Sequence, residues 1–364
     1  MPLSPLPEPK KVTESYPMRP VPAGKGPVIL GGDVGGTKTW LATFRAGGTD
    51  AAAPLTLERA AKTPSRSATS LDQLIAEFLE DERAPVDFAC FGLPGPVQGS
   101  RAQLVNLPWE IDAESLSKKF GFRGCFLIND LVANAYGIGE LDPEDFAELH
   151  PGRPDASGNM AVISPGTGLG EAGIFWDGRK HTPYACEGGH CDFAPRNEKE
   201  VDLLNHLLSS HDHVSYERIL SGSMGIPNIY RFLHETGRMT QSPAVAQALE
   251  GNDPGMIISR AALDNSCPLC LETMKLFATI LGAEAGNLAL KTMSTGGVFI
   301  GGGIAAKILP LLQEKSLAEA FWRKGRFLEF MKNIPLRVIL NDRAALLGAA
   351  RYALHGAELI ESHH

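Results

Sequence analysis

The chain lacks a surplus of basic residues. Its 34 Lys and Arg stand against 42 Asp and Glu, a formal net charge of −8, which argues against a nucleic acid or an anionic membrane as the main partner. It also lacks any stretch near the roughly 20 continuous apolar residues that a membrane-spanning helix needs. Residues 1–26 lack the apolar run of a signal peptide. Cysteines are few: six, at 90, 125, 186, 191, 267 and 270, scattered over 364 residues. That spacing excludes the dense disulfide framework of a small secreted domain and fits a reducing cytoplasm. Cys267-Pro-Leu-Cys270 has the spacing of a metal or redox pair, but no second Cys-x-x-Cys lies nearby. Two reduced thiols at a helix start are therefore expected.

What is present is the composition of an ordinary soluble globular protein, 43% hydrophobic and 21% charged. A single core stops growing near roughly 250–300 residues, so a chain of this length is expected to form two domains. The seven prolines of residues 1–26 predict a disordered leader.

The stretch "ILGGDVGGTKTWLATF", Ile29 to Phe44, has the spacing of a Walker phosphate loop, but its lysine, Lys38, comes one place late. A Walker loop opens a helix. Here an apolar strand, a glycine turn and a second strand rich in β-branched and aromatic residues are predicted. Residues 67–82 carry helical spacing at Leu71, Leu74, Ile75 and Phe78, with Thr69 or Ser70 as the cap. "VDFACFGLPGPV" reads as a buried strand and "ESLSKKFGF" as a short helix. "CFLINDLVANAYGI" is a strand running through Asn129-Asp130 into a helix. This order predicts an α/β sheet with active groups at strand ends. The pattern restarts at "NMAVISPGTGLGEAGIFWDG", again strand, glycine turn, strand. Helices are predicted around 198–209, 215–220, 224–235 and 243–265, then a long one from about 268 to 293. "GGVFIGGGIAAKIL" is a third strand and glycine turn, this time opening a helix.

Glycine turns after apolar strands let backbone N–H groups approach an anion with no Cβ in the way. One such turn is weak evidence, since any tight hairpin favours glycine. Here there are three, Gly31–Thr37, Gly166–Gly170 and Gly301–Gly303, and the first two carry a threonine beside glycine. Asp130 ends an apolar strand, where a buried charge is costly unless it is paired or functional. The residues alone leave it divided between helix cap and catalytic base.

The segments "GGDVGGTKT", "INDLVANAYGI", "GTGLG", "EGGHCDFAP", "SYERILSG" and "GGVFIGGGI" occur in the order found in bacterial glucokinases. From about residue 28 to 355 the chain resembles that family, part of the actin, hexokinase and heat-shock ATPase superfamily. The resemblance implies an α/β, two-domain, ribonuclease H-like fold of the actin-like ATPase and hexokinase type, with an active-site cleft between the domains. It implies a small domain over residues 27–138, completed by a C-terminal helix over 343–357, and a large domain over 139–342. It further implies ATP-dependent phosphorylation of glucose at the 6-hydroxyl, with Mg²⁺ as cofactor, in a cytoplasmic homodimer acting in glycolysis without nucleic acid or membrane.

Residue by residue, the resemblance makes Gly32, Asp33, Val34, Gly35, Gly36 and Thr37 the first phosphate turn, with Asp33 reaching the metal through water. Gly166, Thr167 and Gly168 become the second phosphate turn, and Gly301, Gly302 and Gly303 the nucleoside site. Asp130 resembles the base that accepts the proton of the sugar hydroxyl. Asn106, Asn129, Glu187, His190 and Glu217 match hydroxyl-binding positions, although singly each has a plainer reading: a turn former, surface acids, a half-buried imidazole. Related repressor and sugar-kinase proteins often hold structural zinc with a Cys-x-Cys-Gly run, which is missing here. Ser164-Pro165 departs from the small residues common before "GTGLG". Two alternatives remain: a kinase of another hexose or N-acylated aminosugar, and a non-enzymatic sugar sensor or actin-like ATPase. A repressor would need a helix-turn-helix that residues 1–26 are too short and proline-rich to supply.

Overall fold

A computed structural model describes residues 26–48, 50–80, 85–104 and 107–361. The proline-rich leader and Asn106 lie outside these residues. The chain divides into two compact units, one running to Leu141 and resuming at Arg343, the other spanning Asp142–Asp342.

The first unit opens with β1 (Val28–Val34), β2 (Lys38–Ala46) and β3 (Leu55–Pro64), then α1 (Leu71–Leu79) and β4 (Phe88–Leu93). A small ribbon, β5 (Arg101–Gln103) and β6 (Glu110–Asp112), leads into α2 (Ala113–Phe120), β7 (Gly124–Asn129) and α3 (Asp130–Gly137). The main sheet has the order β3-β2-β1-β4-β7, antiparallel among its first three strands and parallel from β1 to β7. Its central strands are covered on both faces, which is why they read as nearly unbroken apolar runs. Val28, Leu30, Ala89, Phe91 and Leu93 join α1 and α2 in one core layer, while Ile29, Phe44, Phe88 and Cys90 join the opposite one. Ser70, not Thr69, caps α1, its side chain accepting from Gln73 N.

The second unit begins with β8 (Phe146–His150), β9 (Met160–Pro165), β10 (Leu169–Trp176) and β11 (His181–Cys186). Helices α4 (Glu198–Leu208), α5 (Glu217–Leu220), α6 (Gly225–Glu235), α7 (Pro243–Leu249), α8 (Pro254–Leu263) and α9 (Pro268–Thr292) follow. The single helix expected over 243–265 is two, because Asp253 caps a new helix whose first residue is Pro254. The 25-residue α9 is buried along most of its length and forms the centre of this unit's core. Cys267 caps it, accepting from Cys270 N, and both cysteines are buried free thiols. Then come β12 (Gly297–Ile300), α10 (Gly302–Ala305), α11 (Leu309–Leu312), α12 (Lys315–Trp322), α13 (Leu328–Met331) and β13 (Leu336–Ile339). The sheet order is β11-β10-β9-β12-β13-β8. An antiparallel triplet leading into parallel neighbours repeats the layout of the first unit.

The last helix, α14 (Ala344–Glu361), returns to the first unit and packs on β1, β4 and α3. Its contact face is rich in small residues, Ala345, Ala349, Ala350 and Ala353, beside Leu346 and Leu354. Glycines permit the close crossing: a Cβ on Gly137 would lie 1.9 Å from Ala344 O, and one on Gly348 would lie 1.8 Å from Ala133 O. Arg351 fastens the helix, its Nε and Nη2 each 2.7 Å from the Glu140 carboxylate and its Nη1 donating to the carbonyls of Ala51 and Ala53. No helix among the described residues is long and apolar enough to cross a membrane.

Candidate active site

In the first unit the parallel strands β1, β4 and β7 finish at the same edge, the place where open α/β sheets bind ligands. Asp33 pairs in register with Gly92, and Leu93 with Asn129. Gly92 sets the spacing. A Cβ there would meet Ala133 Cβ at 2.9 Å, Gly32 O at 3.6 Å and Asp130 Cα at 3.7 Å. The missing side chain lets α3 start close to β1, so Asp33 and Asp130, both half-buried, stand on either side of one strand end.

The residues alone left Asp130 divided between cap and base. The cap of α3 is Asn129: its Oδ1 accepts from Leu131 N at 2.9 Å and Val132 N at 3.3 Å, and its Nδ2 donates to Gly95 O at 3.2 Å. Asp130 is the first helical residue, and its Oδ1 also accepts from Leu131 N at 2.9 Å. The chain continues past the Gly35–Thr37 turn in a strand, not a helix. Buried Ser65, absent from the sequence-based site, secures that turn. Its N–H donates to Thr37 O at 3.0 Å, its hydroxyl donates to Gly35 O at 2.6 Å, and Thr39 Oγ1 lies 2.9 Å from its Oγ. With the carbonyls of Gly35 and Thr37 held by Ser65, the side chains of Thr37 and Lys38 face solvent.

In the second unit four sequence motifs converge. The turn Gly166-Thr167-Gly168 closes with Gly166 N donating to Gly168 O at 2.9 Å. Its outer carbonyls are taken by the segment after α5: Gly222 N donates to Gly166 O at 2.8 Å, and Ser223 Oγ to Thr167 O at 2.6 Å. A Cβ on Gly168 would lie 2.4 Å from Glu217 Oε1. Glu217 Oε2 is 3.5 Å from His190 Nδ1, and His190 Nε2 is 3.9 Å from Glu187 Oε2. Glu187 and His190 are open to solvent, 68% and 58% exposed, whereas Glu217 is 21% exposed. The loop that carries the first two lies flat on β10, since a Cβ on Gly189 would fall 2.1 Å from Leu169 O.

The third glycine turn abuts the second. Gly301 N donates to Ile163 O at 2.8 Å. Gly302 has φ +84°, and a Cβ on it would lie 2.5 Å from Pro165 O and 2.7 Å from Ser164 Oγ. The unusual Ser164-Pro165 pair thus forms the wall behind Gly302.

Beneath these loops sits a group that sequence reasoning passed over. Glu171 on β10 is 1% exposed. Burial, and then the nearby Glu284, push its carboxyl up to about 8, with Lys291 acting in the opposite direction. Gly188 lies directly over it, and Glu284, which acts on it, belongs to α9 more than a hundred residues away, so no local pattern announces it. Among the described residues no group of three or more His, Cys, Asp or Glu side chains is arranged to hold a metal ion.

The model of the glucokinase family matches residues 30–356 of this chain. A glucokinase of Nostoc punctiforme is 39% identical over 337 residues, covering 89% of this chain and 98% of the relative. Among solved structures, a glucokinase from an Antarctic psychrotroph superposes with a TM-score of 0.77 at 30% identity, covering 90% of this chain and 99% of that one. A ROK family glucokinase from Streptomyces griseus, in complex with glucose and AMPPNP, shares the fold with a TM-score of 0.62 at 20% identity, covering 90% and 100%.

Proposed function

The chain belongs to the glucokinase family, and we propose that it transfers the γ-phosphoryl group of ATP to the 6-hydroxyl of glucose, giving glucose 6-phosphate and ADP. One observation carries the reading beyond family membership. Glu217, a carboxylate suited to hydroxyl recognition, lies directly against Gly168 of a phosphate-type turn. With the roles proposed for Gly168 and Glu217, this contact supports adjoining sites for acceptor sugar and phosphoryl donor within one unit.

In this reading Asp130 is the catalytic base. Its carboxylate takes the proton of the 6-hydroxyl as the sugar oxygen bonds to the γ-phosphorus. The bond from that phosphorus to the bridging oxygen breaks, and ADP leaves with the electron pair. The transition state of phosphoryl transfer is loose, so positioning and charge neutralisation supply most of the acceleration, and the base contributes on the order of 10²–10⁴-fold. Gly32 to Thr37 and Gly166 to Gly168 line the phosphates, and Gly301 to Gly303 the nucleoside. Asn106, Asn129, Glu187, His190 and Glu217 bind the sugar hydroxyls. Asn129 keeps this role compatible with capping, because each amide nitrogen has two protons and Gly95 O takes one.

Asp33 would hold Mg²⁺ through water, and the ion would supply charge neutralisation at the phosphates. A single carboxylate at a strand end fits this ion, which keeps several waters and binds through one or two carboxylates plus substrate phosphates. The reading extends to a homodimer of the cytoplasm acting at the entry of glycolysis, without nucleic acid or membrane as partner. The net charge of −8 and six free thiols support the compartment and the absence of polyanionic partners.

A coupled assay with ATP, Mg²⁺ and a panel of hexoses tests the specificity. A site built to hydrogen-bond the hydroxyls of its substrate can reject a ligand that fails to make those bonds by up to about 10⁴–10⁵. Glucose should therefore be turned over far better than galactose or N-acetylglucosamine. Equal or better activity on the aminosugar would replace glucose as the substrate.

A further inference from the structure

Glu171 follows Gly168 by three residues and has no part in the reaction described above. Its Oε1 is buried without a hydrogen-bond partner. An unpaired buried polar atom costs stability, and an apolar residue would remove that cost. Its surroundings indicate what the carboxyl does. Glu171 pairs in register with Cys186, the residue before Glu187. Its Oε2 lies so close beneath Gly188 that a Cβ there would stand only 1.8 Å away. On its other side is Glu284, fully buried in the middle of α9. Glu284 Oε1 faces Lys291 Nζ at 3.4 Å, and Oε2 accepts from Asn287 Nδ2 at 2.7 Å. The same Asn287 amide donates to the Tyr216 hydroxyl at 3.0 Å, and Tyr216 is the residue before Glu217. A buried polar chain thus runs under the site from Gly188 to Tyr216.

We propose that Glu171 is a positioning residue for sugar recognition: its buried carboxyl supports Gly188 from below and so fixes Glu187 and His190 against Glu217. This rests on reading those three residues as the sugar set. The support lies under the sugar-binding side of the site, so it governs hexose binding and leaves the phosphoryl donor untouched. The titratable groups facing Glu171 are Cys186 from β11 and Glu284 and Lys291 from α9. With a second carboxylate so near, ionisation of Glu171 would set two buried negative charges against each other and disturb the loop above.

Steady-state kinetics on the full chain, with glucose and ATP varied separately, test this in three proteins: the parent, Glu171→Ala and Glu171→Gln. Glu171→Ala should raise the KM for glucose by about ten-fold or more, with kcat and the KM for ATP within about three-fold of the parent. Glutamine has the shape of the neutral acid, so Glu171→Gln should keep the parent's glucose KM at neutral pH. The parent's glucose KM should rise as pH passes upward through about 8, following the ionisation of Glu171, while that of Glu171→Gln stays flat. Should Glu171→Ala fail to fold, the pH profiles of the other two decide. A flat profile in the parent, an unchanged glucose KM in Glu171→Ala, or equal damage from alanine and glutamine would each overturn the role of Glu171. A parent that neither binds nor phosphorylates any hexose would overturn the sugar reading itself, and this inference with it.

Discussion

Replacing Asp130 by asparagine separates catalysis from folding. Asn129, not Asp130, caps α3, through its bonds to Leu131 N and Val132 N. The bond that Asp130 Oδ1 accepts from Leu131 N at 2.9 Å is one an asparagine oxygen accepts equally well. Asp130→Asn removes a negative charge in the first turn of a helix, and the interaction of that charge with the helix end is worth about 0.3–1 kcal/mol of stability. It also removes the proton acceptor. Loss of general-base catalysis by about 10²–10⁴-fold corresponds to about 2.7–5.5 kcal/mol on the activation barrier. The barrier effect is several times the stability effect, so the two are separable in one experiment. A dehydrogenase-coupled assay reads kcat and the KM for glucose, and a thermal melt of the same preparation reads stability. Turnover should fall by about 10²-fold or more, with glucose KM within a few-fold and the melt nearly unmoved. Turnover within a few-fold of the parent would show that Asp130 is not the base. A loss of turnover matched by a comparable loss of stability would show a structural role instead.

The contact between Gly168 and Glu217 gives another prediction. The Cβ of Gly168→Ala would displace the mobile end of the Glu217 carboxylate, 2.4 Å away, not backbone. Folding should therefore tolerate the change, while kcat/KM for glucose falls by about ten-fold or more; unchanged kinetics would show that the carboxylate does not meet the sugar. Glu171 also predicts a pH-dependent stability. Folding raises its carboxyl from the ordinary 4.5 to about 8, so the folded chain holds an extra proton between those values. The stability tied to that proton is complete below the unfolded value and is lost as pH rises towards 8, at about 1.4 kcal/mol per pH unit. Denaturant titrations should show Glu171→Gln gaining about 3 kcal/mol on the parent between about pH 5.5 and about pH 7.5. A difference that does not change with pH would mean that Glu171 is already ionised across this range.

The parts of the fold legible in the sequence were those where burial writes a strong pattern. β1, β4, β7 and β9 are covered on both faces and appear as apolar runs, and the glycine turns mark where β1 and β9 end. The edge strand β3, "LTLERAAKTP", carries no such pattern, because its residues are mostly half-buried and alternate weakly. The break between α7 and α8 was written in Asn252-Asp253-Pro254, but the apolar spacing on either side masked it. At the site, the three glycine turns and the acids around them were visible. The division of labour between Asn129 and Asp130 was not, since two neighbouring residues of similar shape can each cap a helix and only the backbone path decides. Ser65 and Glu171 were invisible for a common reason. Each acquires its role from a partner distant in the chain: Thr37 and Gly35 for Ser65, Glu284 for Glu171.

The proposed function stands on transfer of the γ-phosphoryl group of ATP to the 6-oxygen of glucose. Incubating the parent chain with ATP, Mg²⁺ and glucose labelled with carbon-13 at position 6, and following phosphorus and carbon resonances together, tests it most directly. One ADP should form for each glucose consumed, with phosphorus–carbon coupling appearing at carbon 6 alone. ADP release that does not depend on glucose, or phosphate attached at another carbon, would contradict it.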